Sequence, residues 1–219
     1  MAARAHSDGD GRVERGNQTR RLILRRSVDT ASVEGLGGLS LGRLATELQL
    51  SKSGVFALFG SKVDLQVATV RAAVAIYVEH VVAPALRLPP GLGRLWTACT
   101  SWLRYSRDRV FPGGCFFYAV SAEYDTREGP VHDAVATARS DWTRFLEETA
   151  REAQRTGELR EDVDVGQLVF EMIAFMELAN AESVMHRDDT YYDRAAKGIT
   201  ARVRASAVDP ARLPEPALS

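Results

Sequence analysis

Cysteine is nearly absent from this chain of 219 residues: Cys99 and Cys115 are the only two. They lie in separate apolar surroundings without metal-ligand spacing, which excludes a zinc framework and leaves reduced, buried thiols as the expectation. No uninterrupted apolar run reaches the roughly 20 residues that span a bilayer. A long one, Val67 to Val78, is broken by Arg71. The opening segment, Met1 to Gly16, has no apolar h-region of the secretory kind, so the chain is expected in the cytoplasm with no membrane partner. Nowhere does a period-two alternation persist long enough to demand a sheet, and no fixed-period repeat is visible. Charge of one dominant sign is missing too. Lys and Arg number 28 against 29 Asp and Glu, a net charge of -1, which argues against a protein that coats nucleic acid indiscriminately.

What is present is an ordinary globular composition, 45% hydrophobic and 26% charged, on a chain long enough to bury a real core. The charge is unevenly spread. Residues 1–65 hold ten Lys and Arg against seven Asp and Glu, an excess of three that leaves the remainder four negative. A modestly basic front end on an acidic body fits a local DNA-binding module.

Helical periodicity and caps divide the chain into nine helices, an all-α fold. Residues 1–16, where Gly, Asp, Arg and Ser alternate, read as a flexible arm. A first helix runs from Asn17 to Gly35, whose glycine suits a left-handed exit. Ser40 caps a short second helix with Leu41, Leu44, Ala45 and Leu48 on one face; Ser51 caps a third, with Val55 and Phe59 inward and Gly60 at its end. Ser61 and Asp64 open a long fourth helix to about Ala83, where Pro84 is expected to stop it. Five more follow over residues 92–107, 115–124, 131–156, 164–185 and 190–207. The tail from Asp209 to Ser219, with three prolines, is expected to be disordered. The domain reading is therefore an arm at 1–16, a DNA-binding unit at 17–66, a ligand-binding and dimerisation unit at 67–208, and a tail at 209–219.

Three short helices with a tight turn between the second and third form the minimal helix-turn-helix, in which two helices hold a third for the major groove. The residues sharpen this: Gly38-Leu39-Ser40-Leu41-Gly42-Arg43-Leu44-Ala45, then Leu50-Ser51-Lys52-Ser53-Gly54-Val55-Phe56-Ala57-Leu58-Phe59, then Ser61-Lys62-Val63-Asp64-Leu65. This run resembles the signature of the TetR family of transcriptional regulators, with Phe59, Lys62 and Leu65 in the places of its Phe-x-x-Lys-x-x-Leu. The resemblance implies a dimeric one-component repressor that binds a palindromic operator and is released by a small-molecule effector. Its DNA contacts are expected from Ser40, Arg43, Ser51, Lys52, Ser53, Gly54, Phe56, Ala57 and Lys62. Ser40 and Ser51 open helices whose free N–H groups suit phosphates, and Lys62 is a point charge for a phosphate at the rim. Phe56 and Leu58 depart from the pattern, which commonly has Tyr at the first place and His or Tyr at the second, so two phosphate-contacting groups are absent.

Beyond residue 66 the match is looser. Phe111-Pro112-Gly113-Gly114-Cys115-Phe116-Phe117-Tyr118 is similar to one branch of the family's carboxy-terminal domains. The resemblance implies an aromatic-lined effector pocket, with Trp102, Tyr105, Phe116, Tyr118, Trp142, Phe145, Phe175 and Met176 as candidates and an apolar or aromatic molecule as the occupant. The Gly113-Gly114 break is expected to leave room for it. The stretch from Val165 to Val184 is apolar on nearly every side and must be buried on more than one face. That is where the family builds its dimer, with Phe170, Ala179 and Ser183 as interface candidates.

Two rival readings differ in class. An enzyme is to be sought in Cys115 with His132, in Glu123 and Asp125 with His132, or in a metal loop at His186-Arg187-Asp188-Asp189, but none has the spacing of a catalytic or ligand motif. A helical small-molecule-binding protein that no longer uses DNA is the other. No cofactor and no metal are expected.

Overall fold

The computed structural model describes residues 5–212. Among these it has nine α-helices and no strand, only a lone bridge between Leu159 and Ala207. The helices are α1 (Ala5–Glu34), α2 (Leu41–Glu47), α3 (Lys52–Phe59), α4 (Lys62–Leu86), α5 (Leu92–Arg107), α6 (Phe116–Tyr124), α7 (Pro130–Arg155), α8 (Val165–His186) and α9 (Thr190–Ser206). One connected set of buried side chains runs from Ile23 to Ala207 through all of them.

The caps set the short helices. Ser40, Ser51 and Ser61 are extended residues whose hydroxyls accept from the backbone N–H three places on, at Arg43 (3.4 Å), Gly54 (3.1 Å) and Asp64 (3.1 Å). Each satisfies a donor that the helix start leaves unpaired. A Cβ on Gly54 would lie 2.8 Å from Ser51 Oγ, so this glycine keeps the cap of α3 in place. Val55 and Phe59 then face inward and are buried.

By length and composition α4, with 25 residues, is apolar enough to cross a bilayer. It is instead a central rod, about 37 Å long, packed against α1, α5 and α7 through Leu65, Val70, Ala73, Tyr77 and Val81. Pro84 does not end it, contrary to the sequence expectation. Proline lacks the N–H of the helical ladder, and its ring presses on the carbonyl four residues back. The chain widens into a π-helical turn at Val78–Val82 and continues to Leu86, a register change that accommodates the proline.

One further expectation is corrected, and another falls largely outside the described residues. The arm assigned to residues 1–16 is helical from Ala5, and Met1 to Arg4 lie outside the described residues. Glu14 accepts from Gln18 (3.5 Å) and Arg21 (2.9 Å), and Thr19 Oγ1 donates to the Arg15 carbonyl. Apolar periodicity detects buried faces, whereas residues 13–18 are almost all exposed, so a helix held by local polar pairs left no such period. The tail begins with a 3₁₀ turn at Pro210–Arg212; the rest of the assigned segment, residues 213–219, falls outside the described residues.

Candidate functional site

At one end of the molecule α3 presents Lys52, Ser53, Phe56 and Ala57 to solvent, with Ser40, Ser51 and Gly54 exposed beside them. Phe56 is half exposed, a large apolar side chain standing beside Lys52 and Ser53. Two cations assigned to this surface are engaged elsewhere. Arg43 forks onto Glu34 at 2.5 and 2.7 Å and reaches Glu47 at 2.7 Å, and Arg26 holds the other oxygen of Glu47. Hydrogen bonds from Arg43 lower the Glu34 carboxyl, and those from Arg26 and then Arg43 lower that of Glu47. Arg43 is thus a clamp between α1 and α2. Lys62 Nζ donates to the Gly37 carbonyl at 2.6 Å, which ties the start of α4 to the 3₁₀ turn at Leu36–Gly38. Its two remaining protons are available to a phosphate.

The far end of the same rod borders a cavity of about 250 Å³. Val74, Tyr77, Val78 and Val82 of α4 form one wall; Trp102, Cys115, Phe117, Ala138, Arg139, Asp141, Trp142, Thr143, Phe145, Ile173, Met176 and Glu177 complete it. Of the eight residues expected there, Trp102, Trp142, Phe145 and Met176 line it. Tyr105 and Phe116 belong to the core behind it, and Tyr118 and Phe175 are turned to the outside. Phe175 covers Gly198 of α9, its ring 3.1 to 3.3 Å from where a Cβ would stand. Tyr77, Phe117, Arg139 and Glu177 were missed because each sits in a helical pattern that plain packing or surface exposure already explains.

The cavity is aromatic and electrically balanced. Trp142 stacks on Phe145 at 5.9 Å, and the Tyr77 ring meets Tyr105, Phe117 and Trp142 edge-on at 5.4 to 5.5 Å. Its charged groups are paired: Arg139 with Glu177 at 2.8 Å and Asp141 with Arg144 at 2.7 Å. Burial pushes the Cys115 thiol up to about 11 and that of Cys99 up to about 12, so both are protonated at neutral pH and neither is an activated nucleophile. The Tyr77 hydroxyl is buried and has no hydrogen-bond partner among the described residues, an arrangement that costs stability. Tyr77→Phe is therefore expected to raise the unfolding free energy by about 1 kcal/mol, read from urea denaturation. A loss of that size would show that the hydroxyl is held.

The Gly113-Gly114 break does not open this cavity, contrary to the sequence expectation. A Cβ on Gly113 would stand 1.8 Å from the Ser32 carbonyl oxygen, and one on Gly114 2.3 Å from Asn180 Oδ1. These glycines let the chain press against α1 on one side and α8 on the other. Asn180 Oδ1 accepts from Cys115 N and Ser106 Oγ, both at 2.8 Å.

On α8 the interface candidates separate. Phe170 is 69% exposed, but Ala179 and Ser183 are buried within the single chain, and Ser183 exchanges hydrogen bonds with Arg109 and Asp189. An exposed apolar face lies on the other side, with Phe170, Ala174 and Leu178 four residues apart and Met185 continuing it. The catalytic and metal candidates do not assemble. Among the described residues no three of His, Cys, Asp and Glu group to hold a metal. His132 pairs with Asp133, His186 with Glu182, and Glu123 accepts from the Gly37 N–H.

Short helices offering a small polar surface at one end of a rod, with an aromatic cavity built on the other end of that rod, define the helix-turn-helix regulator class. Residues 91–199 match the family model described as tetracyclin repressor-like, C-terminal domain. The chain belongs to the TetR family of transcriptional regulators. Solved structures share the fold: a TetR regulator from Chloroflexus aurantiacus, 19% identical, superposes with a TM-score of 0.82 over 89% of this chain and 98% of its own. A transcriptional regulator from Saccharomonospora viridis in complex with choline is 20% identical, with a TM-score of 0.73 over 88% and 99%. AibR in complex with isovaleryl coenzyme A and operator DNA is 18% identical, with 0.61 over 74% and 85%. No curated protein matches the chain.

Proposed function

We propose that this protein is a cytoplasmic, homodimeric repressor that holds a palindromic operator with α3 and releases it when a small, neutral aromatic molecule fills the cavity. The observation that carries the reading is the rod: α4 begins at Lys62, beside the helix-turn-helix, and its Val74, Tyr77, Val78 and Val82 wall the cavity. A molecule seated there touches the element that positions α3. Choline and isovaleryl coenzyme A occupy regulators of this fold, which supports an effector without naming this one. Here the aromatic lining favours an aromatic body, and the paired charges favour a neutral one, because an unpaired charge enters such a site at a high desolvation cost. The Arg139–Glu177 pair offers that molecule one donor and one acceptor.

Dimerisation uses the Phe170, Ala174, Leu178 and Met185 face of α8, and two α3 helices then meet half-sites about one helical turn, or a multiple of it, apart. Lys52 supplies a phosphate contact from the exposed first turn of α3. Lys52→Ala should weaken all duplexes alike and make the slope of log affinity against log salt shallower by about one unit, measured by fluorescence anisotropy. An altered base preference with an unchanged slope would assign Lys52 to base reading instead.

A further inference from the structure

Glu123 stands in the last turn of α6 and reaches across to the helix-turn-helix. Its Oε1 accepts from the Gly37 N–H at 2.7 Å, with Arg127 Nη1 3.7 Å away. The fit is close: a Cβ on Gly37 would lie 2.4 Å from Oε1, and one on Gly35, where φ is +76°, 2.6 Å from Oε2. The carboxylate is thus sandwiched by two glycines of a single turn. The same turn is held on its carbonyl side, by Lys62 at Gly37 and by Gln66 at Leu36 (2.8 Å). Three residues beyond Gly37 stands Ser40, the cap of α2. Whatever fixes this turn fixes the attitude of α2 and, through it, α3.

The other end of α6 meets the cavity. Cys115 and Phe117 line it, and Arg139 of the cavity wall donates to Ser121 Oγ, two residues before Glu123. Nine residues make α6 a stiff lever about 13 Å long. Its hold on the turn is incomplete, since Glu123 Oε2 is buried with no donor among the described residues. A carboxylate satisfied on one oxygen only is released by a small displacement more readily than one held on both.

We propose that Glu123 is the positioning residue through which the cavity sets the helix-turn-helix: its carboxylate holds the Gly37 N–H, and a molecule that shifts α6 loosens that hold. This rests on the cavity being the effector site. It places the coupling on α6 and the Leu36–Gly38 turn, in addition to the α4 rod.

The test is amide exchange at Gly37 in the isotope-labelled full-length protein, read by NMR, with Ala138→Trp as a built-in stand-in for an effector and Thr143→Phe as a second wedge should the first fail to fold. Glu123→Ala is expected to speed Gly37 exchange at least about tenfold, the loss of a charge-assisted hydrogen bond, whereas Glu123→Gln, which keeps an acceptor oxygen, changes it less than about threefold. Each wedge should speed exchange at Gly37 in the parent protein and add less than about twofold on the Glu123→Ala background, the signature of a shared route. The proposal is overturned if Glu123→Ala leaves Gly37 unchanged, if the wedges have no effect in the parent, or if they act equally on both backgrounds. Exchange needs neither DNA nor effector. A protein that selects no operator would therefore sink the proposed function while this measurement still returned its own answer.

Discussion

Leu178→Glu should convert the protein from dimer to monomer and lower operator affinity at least about a hundredfold. Leu178 is 60% exposed in the single chain and stands between Phe170 and Met185, themselves 69% and 77% exposed. A contiguous exposed apolar stripe of this kind marks an interface. In a two-fold arrangement one substitution introduces two carboxylates into the same contact, each desolvated without a partner. The effect on DNA follows from linkage: two half-site contacts on one particle gain about 10²- to 10⁴-fold over either alone, and separation forfeits that gain. Sedimentation velocity reads the first effect and anisotropy the second. The helix should remain, because the inward residues Met172, Met176 and Ala179 are untouched. A dimer that survives the change would move the interface away from α8.

Gly113→Ala should destabilise the fold by about 3 kcal/mol or more, placing it among the severe single substitutions. The new methyl would overlap the Ser32 carbonyl, and Gly113 N now donates to Ser32 Oγ at 3.1 Å. Relieving the overlap breaks that bond and parts the loop before α6 from the end of α1. For a chain of this size about 3 kcal/mol lowers the melting temperature by roughly 6 to 12 °C. Gly93→Ala is the matched control. It is exposed in the first turn of α5 with nothing within 4 Å of the added carbon, and alanine there should stabilise by about 0.5–1 kcal/mol. Calorimetry at one fixed protein concentration separates the two, concentration being held because self-association would add to apparent stability. Equal effects from both would show that the contact at Ser32 does not govern the loop.

The parts of this fold that are legible in the sequence are those written locally. Ser40, Ser51 and Ser61 announce helix starts because a hydroxyl three residues before a free N–H is a local arrangement, and the helix read at residues 92–107 is the one found, Leu92–Arg107. What the sequence conceals is decided by distant neighbours. The glycines at 113 and 114 look like a gap until Ser32 and Asn180 are placed beside them. Ala179 and Leu178 are adjacent and both apolar, yet one is buried within the chain and the other bare. A helix apolar on nearly every side gives no phase by which to tell them apart. The candidate site divides in the same way. Lys52 and Ser53 are exposed where a recognition helix needs them, while Arg43 and Lys62 find partners in Glu34 and Gly37 that lie 9 and 25 residues away. Half of the expected cavity residues line it because aromatics were taken as a class. Tyr77 was passed over because its place in a long apolar helix is explained by packing alone.

On the proposed function, α3 reads a two-fold symmetric DNA site under control of the cavity. This is tested most directly by selecting duplexes from a random pool with the purified protein and footprinting the winners, beside the DNA that flanks its own coding sequence. The account predicts a palindrome protected on one face, with half-sites about one helical turn or a multiple apart, bound by one dimer or more and lost in Leu178→Glu. Retention of all duplexes alike, with an affinity set by salt and length and indifferent to sequence, would contradict it.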